Sequence, residues 1–128
     1  MIFGIGTDIV SVSRIDEAMQ RHGPAFAKRI LTELELSELQ NLKEPQRFVA
    51  KRFAAKEAFS KAIGLGMKLP MTWQRMGIGH DELGKPLMLF HPELQAYMDA
   101  QKITAGHISI TDEKDYAAAF VVLERASI

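Results

Sequence analysis

Two carboxylates and one ammonium carry residue types and spacings that could do chemistry. Glu57 and Lys61 lie four residues apart in the run RFAAKEAFSKAIGLG, Arg52 to Gly66, which reads as a helix. Residues three and four apart share a helical face, so Glu57, Ser60, Lys61 and Gly64 form one polar stripe. Phe48, Ala55, Phe59, Ala62 and Ile63 fall opposite, spaced as a stripe pressed into a core. Gly64-Leu65-Gly66 then stops the helix and leaves bare backbone where a ligand could come close. A carboxylate one turn ahead of an ammonium, leading into glycines, suits a divalent cation and a phosphate ester. The same Glu-to-Lys spacing also serves as an ordinary surface pair worth ~0.3 kcal/mol, and by spacing alone that use is commoner. A second acid, Asp8, sits near the end of the opening stretch MIFGIGTDIV, on the face of Gly4 and Gly6. Two hard oxygen ligands, completed by water and phosphate, suit Mg²⁺. The other reading of Asp8 is an acid that turns the chain towards the next helix.

Other chemistries find little support. The chain has no cysteine, which removes disulfides, thiolate metal sites and cysteine nucleophiles together. The four histidines, 22, 80, 91 and 107, show no ligand spacing, so zinc is disfavoured. His107 stands at a strand start, where a lone histidine is more often structural than catalytic. No serine has the strand–turn–helix setting of a nucleophile elbow, and neither Gly64-Leu65-Gly66 nor Gly77-Ile78-Gly79 matches a phosphate-loop or dinucleotide fingerprint. The 16 basic and 16 acidic residues cancel over 128 residues, so neither nucleic-acid nor membrane-surface binding is expected. The first residues lack a basic leader, and no apolar run approaches the ~20 residues of a membrane span. A soluble, cytoplasmic, single-domain protein spanning 1–128 is the expectation.

The elements that must position these residues follow from periodicity. Ile2 to Val10 alternates as a strand. Ser13 is expected to cap a helix starting at Arg14, with Asp16 and Glu17 in its first turn and Ile15, Ala18 and Met19 inward. Arg14, Arg21 and His22 point outward, with Lys28 and Arg29 after Gly23-Pro24, making a local basic face whose default reading is a solvated surface. Thr32 and Glu35 have capping-box spacing for a short helix, Leu34 to Leu42. Pro45 opens the long helix, Pro45 to Ile63. Strands are expected at Gln74–His80 and Pro86–Phe90, a helix from Pro92 to about Lys102, and a final hairpin of Ala105–Thr111 with Tyr116–Glu124. The order predicts an α+β domain with a mainly antiparallel sheet packed against the long helix.

Taken together, GIGTDIVSVSRI, RFAAKEAFSKAIGLG, DELGKP and GHISITDEKDYAAAFVVLE closely resemble the bacterial holo-acyl-carrier-protein synthases, the small type of 4′-phosphopantetheinyl transferase. The resemblance covers essentially the whole chain, in the family's order and spacing. It implies that Asp8 and Glu57 hold Mg²⁺ against the pyrophosphate of coenzyme A, with Lys61 on the phosphates. Asp8, Glu57 and Lys61 are thus the implied catalytic set. It places Arg52 and His107 near the 3′-phosphate and adenosine end. Gly64 and Gly66, with the Gly84-Lys85-Pro86 turn, would wall the nucleotide side. Arg14, Arg21 and Lys28 would face the acidic acyl carrier protein, giving the basic face a partner of opposite sign. The implied activity transfers 4′-phosphopantetheine to a carrier serine in fatty acid biosynthesis, releasing 3′,5′-ADP. The implied assembly is a homotrimer. One departure is Asp112, which stands where many members carry a second histidine, so that histidine's role does not transfer. Two other readings remain: a non-catalytic module gripping an acidic protein, and a Mg-dependent phosphate-ester hydrolase.

Overall fold

The structure is a computed structural model that describes residues 1–127. Its elements run β1 (Ile2–Ser11), α1 (Val12–His22), α2 (Pro24–Ile30), α3 (Glu33–Leu39), α4 (Pro45–Ile63), β2 (Met76–His80), β3 (Pro86–Phe90), α5 (Pro92–Ala100), β4 (Ile103–Asp112) and β5 (Tyr116–Arg125). β1, β5 and β4 form one antiparallel sheet in that order, and β2 and β3 form a separate hairpin. The expected α+β class, with antiparallel pairing against a long helix, is what the chain adopts. No helix among the described residues is long and apolar enough to cross a membrane.

One face of the three-stranded sheet packs on α4, burying Ala119, Val121 and Leu123 of β5 against Ala55, Ala58, Phe59 and Ala62, while Ala117 joins a second cluster with Val12, Ile15, Val49 and Ala50. Gly4 and Gly6 explain how closely β1 approaches. A Cβ on Gly4 would collide with the Ala62 carbonyl, and one on Gly6 with the Ala58 carbonyl, both fixed backbone. The bare backbone noticed around Asp8 is therefore filled by the chain's own helix. Two strand residues advance about as far as four helix residues, so the next inward position of β1, Asp8, draws level with the turn bearing Glu57.

Several boundaries differ from expectation. Helix α1 starts at Val12, two residues early, because Ser11 caps it by accepting from the Arg14 amide at 3.3 Å. Asp16 and Glu17 consequently lie beyond the first turn. Residues 24–30 form an unanticipated helix, α2, opened by Gly23 at φ 64° and by Pro24; seven residues are too few to show a period. The capping box of Thr32 and Glu35 is present, but α3 ends at Leu39, short of Leu42. Helix α4 has the expected bounds, Pro45 to Ile63.

Candidate active site

Asp8 projects from β1 towards α4, where the Lys61 ammonium lies 3.3 Å from its carboxylate and 2.9 Å from the Thr7 carbonyl. Asp8 is largely covered, with 18% of its side chain exposed, whereas Lys61 keeps 53% exposed and can reach outward. One turn back, Glu57 is half-buried, and its carboxyl is pushed above the ordinary value, first by burial and then by the Asp8 charge, with Lys61 opposing. Two acids that feel each other's charge beside a single ammonium form a site with surplus negative potential.

That surplus fits a divalent cation. Among the described residues no group of three or more His, Cys, Asp or Glu stands together to hold a metal. A cation here has two protein carboxylates and must complete its shell from water or substrate phosphate, the pattern of Mg²⁺ rather than of a protein-enclosed zinc or calcium. Beyond Lys61, Gly64 and Gly66 close the helix at φ 82° and 61°, and their amides both bond the Ser60 carbonyl at 3.2 Å. No atom beyond the adjoining chain lies within 4 Å of where either Cβ would be, and both glycines are exposed, so this turn is open to solvent.

The expected polar stripe of α4 is only partly polar. Ser60 is 2% exposed and donates to the Glu57 carbonyl at 2.7 Å, so it belongs to the helix interior face. Arg52, expected near a nucleotide, is 4% exposed. It is held by Glu35 at 3.6 Å and Glu38 at 3.7 Å, and packs over the Phe48 ring. Its guanidinium is thus turned into the protein and away from Asp8 and Lys61. The reason is a buried cluster that periodicity did not reveal. Lys56 is fully buried, and its ammonium donates at 2.7 Å to each of the Ile30 carbonyl, the Glu35 carboxylate and the Trp73 carbonyl. Glu35 also accepts the Thr32 and Ile78 amides. Burial lowers the pKa of Lys56 while Glu35 opposes the shift. The legible signal was spacing: Arg52, Lys56, Phe59 and Ile63 share one side of α4.

A second group of expected residues meets elsewhere. Lys85, Pro86 and His107 line a cleft of about 430 Å³ between β3 and β4, floored by Met88, Phe90 and Ile108. His107 Nε2 lies 2.9 Å from the Glu124 carboxylate, a contact that holds the Glu124 carboxyl below its ordinary value. His107 pairs with Val122 on the sheet face away from α4, whereas Asp8 pairs with Ala119 and turns towards α4. One copy of the chain does not bring the two groups together. Arg14, Arg21 and Lys28 are all exposed. Lys28 lines a groove of about 600 Å³ together with Met19, Ala27, Leu36 and Leu39.

Residues 4–121 match the family model of the 4′-phosphopantetheinyl transferase superfamily. The chain belongs to that superfamily. Among its relatives, the holo-[acyl-carrier-protein] synthase of Azoarcus sp. (strain BH72) is 51% identical, over 97% of this chain and 98% of that protein. The crystal structure of holo-[acyl-carrier-protein] synthase from Neisseria meningitidis superposes with a TM-score of 0.95 at 48% identity, covering 98% of this chain and 100% of that one. A Bacillus anthracis holo-(acyl-carrier-protein) synthase, solved in complex with CoA (3′,5′-ADP), gives 0.83 at 37% identity, covering 98% and 99%. Each of these three comparisons covers nearly the whole length of both chains.

Proposed function

We propose that the chain is a holo-[acyl-carrier-protein] synthase that moves 4′-phosphopantetheine from coenzyme A to a serine of an apo acyl carrier protein. The observation that carries the reading is the Asp8–Glu57–Lys61 group, set by a glycine-to-helix contact within a chain of this superfamily. In the proposed reaction the carrier hydroxyl attacks the β-phosphorus of coenzyme A, its proton passes to solvent, and the bond to 3′,5′-ADP breaks. Asp8 and Glu57 would hold Mg²⁺, which supplies charge neutralisation on the pyrophosphate when bound. Lys61, tethered at one side to Asp8 and free on the other, offers its ammonium to the departing phosphate. Such transfer asks mostly for positioning and electrostatics, which suits a site with no covalent nucleophile.

Lys85, Pro86 and His107 are assigned to the nucleotide side, with Gly64 and Gly66 as the open backbone near the phosphates. Arg52 is assigned to the buried cluster instead. Arg14, Arg21 and Lys28 are assigned to the acidic carrier, and the cytoplasm and fatty acid biosynthesis are the proposed setting. A homotrimer would set the cleft at His107 of one copy against Asp8 of the next. Supporting it, Ile5, Ile9 and Phe120 are 57%, 66% and 45% exposed on the sheet face away from α4, an apolar surface suited to a second copy.

The test is to incubate the protein with coenzyme A, Mg²⁺ and apo carrier and weigh the carrier. The expected result is a gain of one phosphopantetheine arm, lost on chelation and lost in Asp8→Ala with its circular dichroism unchanged. A carrier of unchanged mass with the wild-type protein would refute the reading.

A further inference from the structure

The turn joining β4 to β5, Glu113-Lys114-Asp115, offers three successive carbonyls, and two different helices use them. Arg47 of α4 donates to the Glu113 carbonyl at 2.5 Å and to the Lys114 carbonyl at 3.0 Å, and also reaches the Asp112 carboxylate at 3.1 Å. The third carbonyl, of Asp115, accepts the amide of Val12, the first residue of α1, at 2.9 Å. Lys51 stands 4.0 Å from the other Asp112 oxygen, and Glu44 lies 3.6 Å from Arg47, so the guanidinium is oriented from behind. Only 22% of the Arg47 side chain is exposed. A planar fork with several fixed donors can read such a turn, whereas a lysine offers a single point charge. Asp112, the departure from the family's histidine noted in the sequence, thus has a partner in this chain.

We propose that Arg47 is a positioning residue: by gripping the β4–β5 turn it sets where α1 begins, and so where Arg14 stands relative to Asp8 and Glu57. The link runs Arg47, turn carbonyls, Val12 amide, first turn of α1. Its kinetic consequence rests on the reading that α1 receives the acidic carrier. Its structural consequence does not.

The experiment compares wild type with Arg47→Gln and Arg47→Lys in two measurements. The first is amide exchange at Val12 in the protein alone, where loss of the grip should speed exchange about tenfold in Arg47→Gln while amides in the middle of α4 stay protected. The second is steady-state transfer, where the KM for apo carrier should rise about fivefold to tenfold with the KM for coenzyme A within about twofold. Arg47→Lys keeps the charge but not the fork, so it should retain most of the carrier defect with an unchanged salt dependence. A simple charge contact with the carrier predicts rescue by lysine. Unchanged Val12 exchange in folded Arg47→Gln overturns the proposal, as does a parallel rise in both KM values. Faster Val12 exchange together with a wild-type protein that modifies no carrier would uphold the positioning and refute the proposed reaction.

Discussion

At Glu57 burial and the neighbouring Asp8 charge act in one direction, raising the carboxyl above its ordinary value. Ionised Glu57 therefore costs the metal-free fold stability at pH above the unfolded carboxyl value of 4.5, and nothing below it, where both states are protonated. In chelator, Glu57→Gln should melt higher than wild type at pH 7, with the gain fading as pH falls through the folded value towards 4.5. Thermal melts across pH measure this. At Lys56, the adjacent residue, burial likewise disfavours the charged form, but the ammonium there has a full set of acceptors. Lys56→Met strands two buried carbonyls and leaves the Glu35 charge with Arg52 as its one cationic partner, and should cost ~3–5 kcal/mol, read as a lower urea midpoint. Neighbours in sequence, they are separated in role by one step of helical rotation.

At the scale of elements, the site is a consequence of how β1 lies on α4. Gly4 and Gly6 permit backbone contact with Ala62 and Ala58, and that separation brings Asp8 within reach of Lys61. Gly6→Ala would force the strand away from rigid backbone. It should lower stability by ~1–3 kcal/mol. Transfer should fall further than stability explains, because the two acids proposed to share an ion are drawn apart; denaturation and kinetics on the same sample separate the effects. The Glu35–Lys56 pair works at this scale too, joining the end of α2, the start of α3, the residue 73 loop and β2 to the middle of α4. It fixes the rotation of α4, and so the direction in which Glu57 points.

For the whole molecule, the two groups of proposed substrate-binding residues lie on opposite sides of one sheet, and the side away from α4 exposes the apolar Ile5, Ile9 and Phe120. Ile9→Glu places a charge on that surface without touching the α4 face. If the proposed trimer forms through this face, the substitution should shift the protein to a smaller species in light scattering and abolish transfer, whereas unchanged mass would remove this face from the proposed assembly. The proposed carrier-binding role of the basic face of α1 rests on longer-range charge. Arg14→Glu should raise the KM for carrier but not for coenzyme A, and added salt should blunt the difference, since screening acts over ~8 Å at physiological ionic strength.

Local rules determined much of this protein before any contact was known. Proline and the glycine stop delimited α4, the Thr32–Glu35 spacing announced a capping box, and alternation announced the final hairpin. The family motifs singled out Asp8, Glu57 and Lys61. What only the tertiary structure decided lies in contacts between residues distant in the chain. A helical wheel shows that Arg52 and Lys56 share a side, but not that Glu35 is folded against it, so neither residue's burial was legible. Gly4 and Gly6 were visible as bare backbone, yet whether a ligand or a helix would fill the space depended on Ala58 and Ala62, more than fifty residues away. The hold of Arg47 on the β4–β5 turn has the same origin, for periodicity reports which way a side chain faces and is silent on what meets it there.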